Sequence, residues 1–183
     1  HKKHVLTPRD LASILESKVD TGLGVAITPD WLAGYIVAHS IKALVEDQIG
    51  VKLILKCDGN EALLKIPDNM ASNDLNDLAY RLRRLRILDI SVGYGAFYLA
   101  SLRALTRLLS EITRILGDNV HEDFGMDCLL SACESVYGID IDPLSVAICK
   151  AQLALMFSRE ILSANGSLDL QNLMHCIAKA HLY

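Results

Sequence analysis

The arrangement that most constrains this chain is a short apolar stretch, Ile87-Leu-Asp-Ile90, that runs into Gly93-Tyr-Gly95 and then into a long segment, Ala96 to Leu116, whose apolar residues recur at helical spacing. The same order returns at Ser135-Val-Tyr-Gly-Ile-Asp-Ile141. There Pro143 suits the first position of a helix running through Val146, Ile148, Leu153 and Leu155 toward Ile161. Strand, helix, strand, helix predicts an α/β fold with a parallel sheet, because parallel neighbours need a long crossover between them. The stretch between Asp89 and Asp140 far exceeds the ~20 residues of a simple nucleotide-binding unit, so Gly117 to Ser131 is expected to be an insertion. A third strand is expected around Met174 to Ala178, within the last segment from Asn172 to Tyr183.

The part upstream reads as helical. Thr7-Pro8-Arg9-Asp10 has the grammar of a helix start, with Thr7 as cap and Pro8 in the first turn, and the helix should run to Lys18. Thr21-Gly22-Leu23-Gly24 is a turn or loop. Thr28-Pro29-Asp30-Trp31 repeats the capping pattern ahead of Leu32, Tyr35, Ile36 and Ala43, which predicts a longer helix through the thirties and forties. Val51 to Lys56 reads equally as a strand or a helix end. Asp58-Gly59-Asn60 is a turn and Pro67-Asp68-Asn69 a loop. Ser72 is expected to cap a helix with Asp74 and Asp77 early and Arg81, Arg83 and Arg84 late, a charge order that complements the helix dipole and explains the basic run without a ligand.

The 183 residues, 51% of them hydrophobic, suffice for one core with a small helical appendage. A net charge of −4 argues against gripping nucleic acid by charge alone, which takes a clustered excess of Lys and Arg. The five cysteines contain no Cys-x-x-Cys pair and the histidines no His-x-x-x-His pair, so no metal site is expected and the thiols read as reduced and mostly buried. No apolar run approaches the roughly 20 residues of a membrane span, and a soluble cytoplasmic protein is expected. The start at His1-Lys2-Lys3-His4 suits a trimmed chain or a fragment.

Ligands of open parallel sheets sit beyond the carboxyl ends of the strands. Gly93 and Gly95 let the backbone turn sharply and approach a ligand there, and Asp140 can accept hydrogen bonds from the two hydroxyls of a ribose. Ile141 can lie against an adenine face. A Gly-x-Gly pair alone serves a dinucleotide or a tight turn equally well, but Ala96, Phe97 and Tyr98 stand where a pyrophosphate would want a third glycine. S-adenosylmethionine, which has no phosphate, fits Asp89, the glycine loop and Asp140 better.

At this point the sequence resembles the amino-methylating adenine DNA methyltransferases of restriction-modification systems, in particular the fused restriction and modification enzymes. Leu88-Asp-Ile-Ser-Val-Gly-Tyr-Gly-Ala-Phe97 is similar to their first motif, Leu-Asp-Pro-Ala-Cys-Gly-Ser-Gly-Ala-Phe, with Ile90, Ser91, Val92 and Tyr94 as the departures. Tyr137-Gly-Ile-Asp-Ile-Asp-Pro143, followed by Ala147 and Lys150, resembles the second. Gly24-Val-Ala-Ile-Thr-Pro-Asp-Trp-Leu32 resembles the motif that precedes the sheet and closes over the methionine end.

The resemblance implies a Rossmann-like S-adenosylmethionine-dependent methyltransferase sheet, partial here, in residues 72–183, preceded by a helical segment over 1–71 that carries the lid motif. It implies Thr28 on the methionine carboxylate, Asp89, Gly93 and Gly95 lining the methionine pocket with Phe97 packed near it, Asp140 on the ribose and Ile141 on the adenine. The family's catalytic Asn-Pro-Pro-Tyr motif is nowhere in the sequence and is expected beyond Tyr183, so this stretch alone is expected to be inactive. Double-stranded DNA is the implied partner, held mostly by parts outside this stretch, together with fused or associated nuclease and specificity domains. The alternative is a non-catalytic module of the same shape, used for assembly or DNA placement in a larger restriction protein. Asp142 reads as a helix cap, Cys149 as a core residue, and Trp31 as packing under the lid helix. His39 reads as semi-buried, and His121, His175 and His181 lack identifiable partners.

Overall fold

The computed structural model of the chain describes residues 28–59, 61–117, 124–165 and 170–183. The expected helix from Thr7 to Lys18 and the loop at Thr21 to Gly24 lie outside the described residues, as does His121. Helix α1 spans Asp30–Ile49, and a two-stranded antiparallel hairpin follows, β1 Ile54–Asp58 and β2 Glu61–Lys65. Asp58 pairs with Glu61, so two residues connect the strands, and Gly59 stands at φ 56° as such short hairpin connections require. Of the ambiguous stretch Val51 to Lys56, Ile54 to Lys56 belong to strand β1, while Val51 to Leu53 lead into it without regular structure.

Helix α2, Ser72–Arg84, buries Leu75, Leu78, Ala79 and Leu82, spaced as one helical face, and leaves its charged residues outside. Ser72 was expected as its cap. The cap position belongs instead to Ala71, with no side-chain capping bond, and Ser72 opens the helix proper. Likewise α1 begins at Asp30 with Pro29 at the cap position, so neither Thr28 nor any other side chain caps it.

The second sheet is parallel and lies in the order β3 (Ile87–Asp89), β4 (Val136–Gly138), β5 (His181–Leu182). Helix α3, Ala96–Leu116, and helix α4, Phe124–Cys133, form the first crossover; α5, Pro143–Asn165, and α6, Leu170–Ala178, form the second. The segment expected to be an insertion therefore contributes a helix, packed against α3. The third strand is displaced from its expected place: Met174 to Ala178 is helical, and the strand comes at His181–Leu182. Met174 is largely exposed while Leu173 and Cys176 are buried, a helical spacing.

Helix α3 is the centre of the core. Tyr98, Leu99, Leu102, Leu105, Leu108, Leu109 and Ile112 are all buried along it, with α1, α2, α4, β2 and β4 packed around it. Each such side chain contributes about 2 kcal/mol of transfer free energy. Tyr98 lies against the sheet face that carries Gly138 and Leu182, while Leu88, Tyr137 and His181 share one row on the opposite face. His181 is not without partners: its ring stacks on Tyr137 at a centroid distance of 4.4 Å. His39 is exposed and not semi-buried, with the Tyr35 ring 4.4 Å away. Trp31 lies on α1 itself and is 48% exposed.

Among the described residues no helix is long and apolar enough to cross a membrane, and Cys128, Cys133, Cys149 and Cys176 are buried while Cys57 is exposed. The phenol oxygen of Tyr98 is buried and has no hydrogen-bond partner among the described residues, a desolvation cost that none of them repays. Tyr98→Phe should therefore stabilise the chain by about 1 kcal/mol, read as a higher urea midpoint at unchanged slope; a lower midpoint would show that the hydroxyl is satisfied.

Candidate functional site

The pairing of Asp89 with Gly138 places the two strand ends side by side, so the loop from Ile90 to Gly95 and the loop from Ile139 to Asp142 become neighbours. Hydrogen bonds continue past the strands: Ile139 N–H donates to Asp89 O at 2.9 Å and Val92 N–H to Ile139 O at 3.0 Å. The Asp140 carboxylate then joins the loops. Its Oδ2 accepts from Gly93 N–H at 2.8 Å and its Oδ1 from Asp142 N–H at 2.9 Å, while its own backbone N–H donates to Tyr183 O at 3.0 Å. From α5, Gln152 Nε2 donates to Tyr94 O at 2.7 Å and props the glycine loop from behind.

The two glycines serve different ends. Gly95, at φ 95°, sits directly on the core: a Cβ there would meet Cys149 Sγ at 2.6 Å and Leu99 Cδ1 at 3.3 Å. Gly93, at φ 51°, has only Ser91 O at 4.0 Å in front of the same position, so its open side is free for a ligand. Close approach to a ligand is thus an argument for Gly93, and close approach to a buried thiol an argument for Gly95.

Electrostatics sort the ionisable groups. Burial raises the Asp89 carboxyl above its ordinary range, the Ser91 N–H bond to Oδ1 works the other way, and the Asp140 charge raises it further. Burial pushes the Cys149 thiol up to about 12, with the Asp89 charge adding to it and Lys150 opposing it; a neutral buried thiol is packing material and no nucleophile. Asp142 is held below the usual carboxylate range by the Ser145 hydroxyl and the Leu144 N–H. With Ser145 N–H also donating to it, Asp142 caps α5 as expected.

The structure thus brings Gly93 and Asp140 into direct contact, with Asp89 within electrostatic reach. Asp89 and Phe97 line one cavity of about 370 Å³ with Ile90, bounded on the other side by Ile36, Val37 and Ser40 of α1. Ile141 is fully exposed beside Asp140. Thr28, two residues ahead of α1, is partly buried and makes no hydrogen bond to the other named residues. Gln152 and Tyr183 support the site without any local sequence signal, since their roles depend on where helix and strand return in space. Among the described residues no cluster of His, Cys, Asp or Glu could hold a metal ion.

In sequence the chain is similar to a restriction-modification protein. Over 154 residues, 79% of this chain, it is 29% identical to a protein of Methanocaldococcus jannaschii named "Putative type II restriction enzyme and methyltransferase", of which the matched stretch covers 13%. No protein-family model matches the chain, and no solved structure does.

A raised Asp89 pKa means that the folded chain holds this proton more tightly than the unfolded one. The group favours folding below its ordinary value of 3.8, and that contribution is lost as the pH rises through the raised value. Asp89→Asn, which keeps the oxygen that accepts from Ser91, should flatten the fall in urea midpoint across this window and leave the variant more stable than the parent at neutral pH. Parallel pH profiles of parent and variant would show that the carboxyl titrates unperturbed.

Proposed function

We propose that this chain is the S-adenosylmethionine-binding portion of a DNA adenine-N6 methyltransferase from a cytoplasmic restriction-modification or phage-defence system. The observation that carries the reading is the Asp140 carboxylate bonded to the Gly93 N–H across two adjacent parallel strand ends. That is where an open α/β sheet offers its ligand site. A relative whose name joins restriction enzyme and methyltransferase supports it. In this reading residues 72–183 are the first half of a Rossmann-like cofactor domain and residues 1–71 a helical segment carrying the lid motif.

The residues present fit the cofactor. Each Asp140 oxygen accepts one backbone bond and keeps lone pairs for the two ribose hydroxyls. Ile141 is free to lie on the adenine, and the open side of Gly93 leaves room for the methionine part, next to Asp89 and Phe97. Thr28 would meet the methionine carboxylate, and Gly95 fixes the loop against α5. When bound, the cofactor supplies an activated sulfonium methyl group; these residues only hold and orient it. The target adenine, flipped from the duplex, would be presented by the part that carries the Asn-Pro-Pro-Tyr motif, along with the contacts to double-stranded DNA and any nuclease.

Calorimetric titration of the chain with S-adenosylmethionine and S-adenosylhomocysteine should give saturable heat for both. Asp140→Asn, which retains one acceptor oxygen, should weaken both about tenfold, the loss expected when charge-assisted bonds become neutral ones. Absence of heat with either compound, or equal affinity in the variant, would leave the non-catalytic module as the better description.

A further inference from the structure

A second cavity, of about 480 Å³, lies between the first turns of α1, the β1–β2 hairpin and α3, with Arg159 of α5 at its side. None of Asp89, Gly93 and Asp140 lines it. Gly34, Ala38, Ala62, Ala100 and Ala104 supply small apolar surfaces, a wall against which a flat ring can lie. Trp31, half exposed, stands at the edge.

Three arginines, Arg103, Arg107 and Arg159, line this space. Arg103 and Arg107 are one turn apart on the same face of α3, where like charges repel. Arg107 is paired with Glu61. Arg103 is drawn toward Asp30 and Glu61 and repelled by Arg107 and Arg159, and its burial weakens its hold on the proton. Among the described residues neither Arg103 nor Arg159 has an ion pair, and no hydrogen bond engages either guanidinium. Asp58 also lines the cavity, though its charge is not among those acting on Arg103. The lining thus carries three guanidiniums and three carboxylates, but only Arg107 and Glu61 are paired, which leaves Arg103 and Arg159 without a close anion among the described residues. A part-buried cation without a close partner is costly until an anion joins it, and a planar guanidinium matches a phosphoryl group in shape and hydrogen-bonding pattern.

We propose that this cavity binds a nucleotide, its phosphoryl group taken by Arg103 and Arg159 and its ring laid on the small-residue wall beside Trp31. The nucleotide is either free or part of a nucleic-acid strand. The site is independent of the methyl-donor site at the strand ends.

Trp31 is the only tryptophan of the chain, so its fluorescence reports the cavity directly, and calorimetry can be read alongside. The 183-residue chain is titrated with adenosine 5′-monophosphate, with adenosine, and with a short single-stranded oligodeoxynucleotide. Saturable binding of the monophosphate, the oligonucleotide or both, without binding of adenosine, is the expected result. Monophosphate alone identifies a free nucleotide as the source, and the oligonucleotide alone a strand. Arg159→Gln changes an exposed residue and should keep the parent's circular dichroism while weakening binding about tenfold or more, the equivalent of a lost charge-assisted hydrogen bond. Saturating S-adenosylhomocysteine should leave the titration unchanged. Adenosine binding as well as its phosphate, no binding of either phosphate ligand, unaltered affinity in the Arg159 variant, or displacement by S-adenosylhomocysteine would each overturn the proposal.

Discussion

The carboxylate of Asp140 stands between two loops that neither strand pairing nor helix packing alone would hold together. The strands are only three residues long in β3 and β4 and two in β5, so little ladder is available to define where the loops beyond them go. Accepting from Gly93 N–H on one side and Asp142 N–H on the other, the carboxylate takes over where the ladder ends. The same residue anchors to the third strand through its backbone bond to Tyr183 O. One residue thus coordinates the first loop and the second through its side chain and the end of β5 through its backbone. The position fits a polar ligand because the anchoring group itself is charged and keeps lone pairs free.

That clamp works only because the surfaces behind it are rigid. Gly95 is pressed against the Cys149 thiol, and Gly138 faces Leu182 Cδ2, Val92 Cγ2 and Tyr98 Cδ2 at 2.7, 3.0 and 3.1 Å from where a Cβ would sit. Sheet, α3 and α5 therefore meet at points where no side chain larger than hydrogen fits on one partner, and small displacements there are resisted by the core. The site inherits its geometry from packing, and its supports are residues that never touch a ligand.

The sequence made the repeating strand, turn and helix order legible because three signals agreed: apolar runs, Gly-x-Gly, and proline at a helix start. The bounds of α3 and the start of α5 followed directly. Gly59-Asn60 between two apolar runs is a turn signal of the right length for a hairpin, but Val51 to Lys56 alone carries no pattern that separates a strand from a helix end until its partner strand lies beside it. The third strand was placed on α6 because a short apolar run carries no period that separates strand from helix. The caps at Thr28 and Ser72 failed by one residue, the ordinary uncertainty of a helix boundary. Of the candidate site, the residues next to the glycines and at Asp140 were legible, since local motif and strand end coincide. Gln152, Tyr183 and the arginine-lined cavity were not, because each depends on elements distant in sequence.

The departures in the first motif take on a different weight once their surroundings are known. Val92 is 3% exposed and packs beneath the loop against the Gly138 position, so a larger residue there fills the floor and not the ligand side. At Tyr94 the backbone carbonyl is held by Gln152, a bond that any residue at 94 would accept, so the change of side chain leaves this support of the loop intact. Ile90 is 77% exposed and borders the cavity shared by Asp89 and Phe97. Ile90 stands where a molecule in that cavity would feel the change, through added apolar surface near the Asp89 carboxyl. More apolar surface there disfavours the ionised form, in line with the raised pKa of Asp89, whose largest cause is burial.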